Sequence, residues 1–244
     1  MFDILVKSFK TTNNCIILAT PLIIFFTLLG LYLSYASFAA DNPFKLFFAF
    51  GTFLIMLSGF LSAWLYMTKK AIAMSENIYL FENDRIKAIF ELICSLPKGI
   101  GRLLLPITSV IALYIIIYLV MFSLFAFLIT KIGELANYWN LMITIGLLVV
   151  AFITLLWIPE VVYNKKNTIT ALYNSICKVF MNFWESLFLY IIILFLLCFS
   201  LVIYFQLTMH PIITFFMLIT FYYILVYIVV LLFTYYEQTF IKQQ

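Results

Sequence analysis

Residues 157–190 read WIPEVVYNKKNTITALYNSICKVFMNFWESLFLY, and the fold is decided there. An apolar run ends near Trp157, the chain turns at Lys165 and Lys166, and a mixed segment leads into the next apolar run. Within that segment Ile169, Leu172, Tyr173 and Ile176 recur at i, i+3, i+4 and i+7, the spacing of one helical face. Asn167, Thr170, Asn174, Lys178 and Glu185 fall largely on the other side. A helix of this kind either lies in the headgroup plane with its apolar stripe in the acyl boundary, or turns that stripe onto neighbouring spans. The sequence leaves both open.

Two other places carry the same template. Phe2, Leu5, Val6 and Phe9 have the spacing, with Asp3, Lys7 and Lys10 opposite. Ile89, Leu92, Ile93 and Leu96 have it again, with Glu91 and Ser95 off the face. Aligned on their first apolar residues, the three segments place Ser8, Ser95 and Ser175 in register, each with a lysine nearby (Lys10, Lys98, Lys178). Two apolar runs follow each segment. The pattern raises a threefold repeat of amphipathic helix, span, span. The plainer reading is that any three membrane hairpins share a composition.

The composition agrees with a membrane chain. Of 244 residues, 66% are hydrophobic and 10% charged, against roughly 45–50% and about 25% in soluble domains. Six stretches reach the roughly 20 residues needed to cross the hydrocarbon. They fall at about 15–39, 44–67, 103–130, 141–162, 187–207 and 212–235. The fold class expected is all-α: a polytopic membrane helix bundle of six transmembrane helices with amphipathic helices on the cytoplasmic side, forming a single integral membrane domain over 1–244. The first run is too long for the apolar core of a signal peptide and reads as a retained span. Gly30 with Ser34, and Gly59 with Ala63 beside Ser58 and Ser62, are candidate small-residue packing stripes. The long polar connection 71–102 is expected to hold a helix beginning at Asn83 or Asp84 and ended by Pro97, with Pro97, Gly99 and Gly101 forming the turn into the third span.

Orientation follows from the basic residues. With both termini on one side, that side carries twelve of the 14 Lys and Arg residues, and only Lys45 and Lys131 lie opposite. The positive-inside bias places both termini in the cytoplasm, or in the matrix if the membrane is that of an organelle.

The chemistry is sparse. No Asp, Glu, Lys, Arg or His lies near the middle of a span, where a charge costs about 2.5–3.5 kcal/mol and is kept for function. The chain has no nucleotide-binding loop, no nucleophile elbow and no zinc-protease motif. His210 stands alone beside Pro211 in a turn, and Cys15, Cys94, Cys177 and Cys198 form no CxxC pair. The expectation is a non-enzymatic protein with no cofactor and no metal, and with no basic stripe for nucleic acid. The candidate docking or interfacial residues are Glu91, Lys98, Arg102, Glu160, Lys165, Lys166 and Lys178. Glu160 reads as an ion pair or hinge at the cytoplasmic mouth or, by preference, as an interfacial residue reaching toward headgroups. Tyr223 and Tyr227 share a face of the sixth span and are the candidate lining of a lipid or small-molecule groove; simple packing is the preferred alternative.

Ile158-Pro159-Glu160, Ala171-Leu172, Ser175 and Asn182-Phe183-Trp184 resemble a broad group of bacterial six-span proteins. That group includes YciC-like proteins and the membrane domain attached to some glycerophosphodiester phosphodiesterases. The resemblance covers residues 157–190. It implies a six-span membrane protein, and it carries over no catalytic residue, because the phosphodiesterase chemistry belongs to a separate soluble domain. The function expected is a scaffold or subunit of a larger membrane assembly, with lipids and protein subunits as partners. The alternative is the permease subunit of an ABC-type transporter, with 71–102 as the coupling segment. A subunit of a respiratory or similar complex is a weaker third reading.

Overall fold

The computed structural model describes residues 1–39, 43–75, 82–131, 138–164, 167–205 and 211–242. Among them the chain is helical apart from short turns between elements, with no strand. The elements are α1 (Phe2–Asn14), a 3-10 turn (Ile16–Leu18), α2 (Ala19–Ala39), α3 (Pro43–Ser75), α4 (Glu82–Ile93), α5 (Leu96–Lys131), α6 (Trp139–Ile153), α7 (Trp157–Asn164), α8 (Thr168–Met181), α9 (Phe183–Phe205), α10 (Pro211–Tyr236) and a closing π turn (Glu237–Ile241). Six segments are long and apolar enough to cross a membrane, which makes the protein an all-α, multi-pass helix bundle. A lone segment can do this as a helix because its backbone bonds are satisfied within the segment.

Prolines set the departures from simple spans. The fourth span is split: α6 stops at Ile153, residues 154–156 turn, and α7 restarts at Trp157. Pro159 explains the split, since it has no N–H to give the carbonyl of Leu155 and its ring crowds that carbonyl. Pro97 does not end α4, as the sequence suggested. It lies in the first turn of α5, where a missing N–H costs nothing, and α4 ends earlier, at Ile93. Gly99 and Gly101 accordingly sit inside a helix and form no turn. Helices α3 and α5 run to 33 and 36 residues, well past the spans expected for them.

The chain divides into two compact units, 1–104 with 191–244, and 105–190. In the first unit α10 packs on α1, α2 and α3. Phe25 stacks on Phe60 at 4.2 Å between ring centres, and Phe60 stacks on Trp64. The indole of Trp64 donates to the Leu18 carbonyl at 3.0 Å. Gly99 brings α5 against α3 so closely that a Cβ there would lie 2.8 Å from the Cβ of Tyr66 and 2.9 Å from the Ser62 carbonyl oxygen. The small-residue stripe on α3 is thus used at Ser62 and Ala63, where Gly99 meets it. Gly59, expected to serve close packing, has open space over it and helps line an apolar cavity of about 440 Å3. The Gly30–Ser34 pair faces outward, with nothing near Gly30.

The second unit is organised around α8, which α6 and α7 contact. Trp157 is fully buried, and its indole donates to the Thr168 carbonyl at 3.0 Å. Tyr114 donates to the Thr154 hydroxyl at 2.8 Å, inside the break of the fourth span, and its ring lies against Trp157. Tyr190 donates to the Leu148 carbonyl at 2.7 Å.

Hydroxyls within helices mostly bond to their own backbone. Ser8, Thr12, Thr27, Ser62, Thr68, Ser109, Thr144, Thr154 and Thr220 each donate to the carbonyl four residues earlier. This local bond satisfies a polar group without a neighbouring helix.

The three short helices share one arrangement. On α1, Ile4, Ser8, Thr11 and Thr12 are buried while Phe2, Val6 and Phe9 are exposed. On α8, Thr168, Ala171, Ser175 and Val179 are buried while Ile169 and Tyr173 are exposed. On α4, Ala88 and Leu92 are buried while Ile86, Ile89, Phe90 and Ile93 are exposed. Small and hydroxyl-bearing residues therefore predominate on the faces turned to the protein, and large apolar residues on the faces turned away.

Ser8 and Ser175 occupy matching positions. Each is buried seven residues before a kinked junction residue, Cys15 (φ −112°, ψ 42°) and Asn182 (φ −116°, ψ 51°), whose N–H bonds four residues back. The middle segment breaks the register. Its corresponding junction residue is Cys94, bonded back to Phe90, so Ser95 lies beyond α4 and in the turn, where its hydroxyl caps the Leu92 carbonyl. The serine match therefore holds between the first and third segments and fails for the second.

Candidate functional site

The most developed polar constellation lies where α7 and α8 meet, at the end of the fourth span. Glu160 sits in the first turn of α7, and Lys178 in the last turn of α8. Each end favours the charge it holds, because helix dipoles are positive at the N-terminus and negative at the C-terminus. The two side chains meet at 2.6 Å between Lys178 Nζ and Glu160 Oε2. The other carboxylate oxygen, Oε1, accepts from the side-chain amides of Asn164 at 2.8 Å and Asn174 at 3.3 Å. The Glu160 side chain is 1% exposed and that of Lys178 is 19% exposed.

This corrects the preferred reading of Glu160. It does not reach toward headgroups; it is enclosed and paired. The partner is Lys178, eighteen residues on, which the amphipathic pattern places opposite the apolar stripe. Helix α8 presents three faces: apolar outward, small inward, and Asn174 with Lys178 toward Glu160. A two-faced pattern cannot show the third. The signal available in the sequence was the spacing of Asn174 and Lys178, four apart and on one side, opposite a carboxylate placed just after a proline. Lys165 and Lys166 lie outside the described residues.

The other candidates fall in the first unit and form separate contacts. Glu91 pairs with Lys70 at 2.6 Å, and Lys70 also donates to the Glu91 carbonyl at 3.3 Å, which ties α4 to α3. Arg102 donates to the Tyr66 hydroxyl at 3.0 Å and lies 5.8 Å from the centre of its ring. Lys98 is exposed on the first turn of α5. These residues do not converge on a common point.

Tyr223 and Tyr227 face α1. Tyr223 donates to Asn13 Oδ1 at 2.7 Å, and its ring meets Phe9 edge-on. Tyr227 lines a groove of about 670 Å3 with Leu5, Val6, Phe9, Lys10, Asn13 and Asn14. One tyrosine of the pair thus packs between helices and the other opens onto a groove. Neither could be assigned from α10 alone, because the opposite wall belongs to the first helix of the chain.

Among the described residues no group of three or more His, Cys, Asp or Glu side chains could hold a metal ion. The architecture and this distribution of polar groups define a multi-pass helical membrane protein. Comparison with protein-family models, curated proteins and solved structures yields no match.

Proposed function

We propose that the chain is a non-enzymatic subunit or scaffold of a larger membrane assembly, seated in a bacterial inner membrane with both termini cytoplasmic. The observation that carries this reading is the poor burial of its spans. Helix α6 has no buried residue, and only 6% of the most apolar window of the third span is buried, against 33% in the fifth. Lipid gives no hydrophobic drive to helix association, so a span is held mainly by side-chain packing. Spans this open suit partner helices. The ion pair of Glu160 with Lys178 then serves to fix α8 on α7 and has no catalytic role.

Native mass spectrometry of the protein extracted from its own membrane in mild detergent tests the proposal. A stoichiometric membrane-protein partner is expected. Recovery of the chain alone with bound phospholipid overturns it.

A second reading, the permease of an ABC-type transporter, draws on α4. Ile86 and Phe90 stand 65% and 67% exposed on the connection where an ATPase would dock. Photo-crosslinkers at these two positions separate the readings. Crosslinks to an ATPase favour the permease, and crosslinks confined to lipid remove it.

A further inference from the structure

We infer that the groove between α1 and α10 is a binding site for one glycerophospholipid molecule, held by its phosphate as well as by its chains. The groove joins two kinds of wall. Leu5, Val6 and Phe9 form an apolar strip along α1. Lys10, Asn13 and Asn14 follow on the same helix, with Tyr227 of α10 across from them. The strip offers room to an acyl chain. The polar end offers one cation, two carboxamides and a phenol, which suit an anionic phosphodiester better than an uncharged lipid.

The polar groups are not consumed elsewhere. Asn13 spends its carbonyl oxygen on Tyr223, which holds its amide in place. The Tyr227 hydroxyl has no hydrogen-bond partner among the described residues. It is half-buried beside Tyr223, whose bond to Asn13 pins the helices that form the two walls. The volume, about 670 Å3, is that of a ligand pocket and exceeds the gap left by imperfect side-chain packing. The occupant follows from position: α1 precedes the first span directly, so the apolar strip meets the acyl layer and Lys10 the headgroups.

The test uses the full chain in mild detergent and native mass spectrometry, titrated separately with phosphatidylglycerol, phosphatidylethanolamine and diacylglycerol. Phospholipid adducts are expected for both phospholipids and none for diacylglycerol. Lys10→Gln is expected to weaken the adduct about fivefold, the effect of one lysine near a lipid surface. Lys87→Gln, which removes an exposed lysine from α4, is expected to leave it unchanged. Val6→Trp fills the groove from an exposed position and is expected to abolish the adduct while the melting temperature holds. Equal retention of diacylglycerol overturns the inference. So does an equal effect of Lys10→Gln and Lys87→Gln, or survival of the adduct in a folded Val6→Trp variant.

Discussion

Replacing Lys178 by Met tests the enclosed ion pair most directly. The substitution keeps the length and apolar stem of the side chain and removes the charge that faces Glu160. At 2.6 Å and an effective dielectric constant of about 20, the attraction between unit charges is roughly 6 kcal/mol. Desolvation of both groups offsets much of it. Loss of one partner of a buried pair usually costs about 3–5 kcal/mol, because the remaining charge is stranded. Lys178 is one-fifth exposed, and Asn164 and Asn174 still donate to Glu160, so the lower figure of about 3 kcal/mol applies. For a chain of this size that corresponds to a fall in melting temperature of about 6–12 °C. Glu160→Gln keeps the oxygen that accepts both amides and strands only the partly exposed lysine, so its cost is smaller. The double variant Glu160→Gln/Lys178→Met strands no charge and recovers part of the loss. Thermal unfolding in one detergent, run as a double-mutant cycle, measures all four proteins. A loss below about 1 kcal/mol for Lys178→Met, the value of a surface pair, refutes the enclosure argument. Strict additivity of the two single changes refutes the coupling.

Gly99→Ala is expected to lower stability by about 1–3 kcal/mol, because its Cβ meets α3 at under 3 Å. Gly30→Ala, over open space, is expected to be neutral or slightly stabilising, and melting temperatures compare the two. Trp157→Phe removes the donor to the Thr168 carbonyl and leaves a void in a fully buried site, so a loss of about 2–4 kcal/mol is expected by the same assay. Cys15 is 2% exposed and Cys94 is exposed, so maleimide applied in detergent should modify Cys94 and spare Cys15 until denaturant is added. Modification of Cys15 in the folded protein at the rate of Cys94 would show that the α1 junction is open.

The spans were legible because hydrocarbon imposes one long, uncharged pattern that few other structures share. Their interruptions were less so. Pro159 follows an isoleucine and Pro97 a leucine, and whether a proline breaks a helix or begins one depends on which carbonyl it leaves bare. That depends in turn on where the helix starts. The apolar stripes on α1 and α8 were legible from spacing; Phe2, Ile169 and Tyr173 stand exposed on them, while Leu5, Val6 and Phe9 line the groove beside α10. The middle stripe was misplaced. The spacing from Ile89 sets a register that α4 does not use: the exposed row begins at Ile86 and the helix ends before Ser95. Glu160 was marked as a placed carboxylate, but its partner was hidden by the assumption that an amphipathic helix has only two sides. The groove at Tyr227 joins residues more than two hundred positions apart, and no local pattern could announce it.

The serines and threonines that bond back onto their own helices have a consequence for how the protein is made. A span whose hydroxyls are already satisfied can enter the bilayer as a finished cylinder, with no debt to a neighbour that has yet to be synthesised. The tyrosines differ. Tyr32 reaches the Ala49 carbonyl, Tyr114 the Thr154 hydroxyl, Tyr190 the Leu148 carbonyl and Tyr223 the Asn13 side chain, each on another helix. Insertion and assembly are thereby given to different side chains. The aliphatic hydroxyls that bond within their own helix need no neighbour to cross, and the phenols close the seams once the helices have met, so a tyrosine-to-phenylalanine series would slow or loosen assembly while leaving insertion intact.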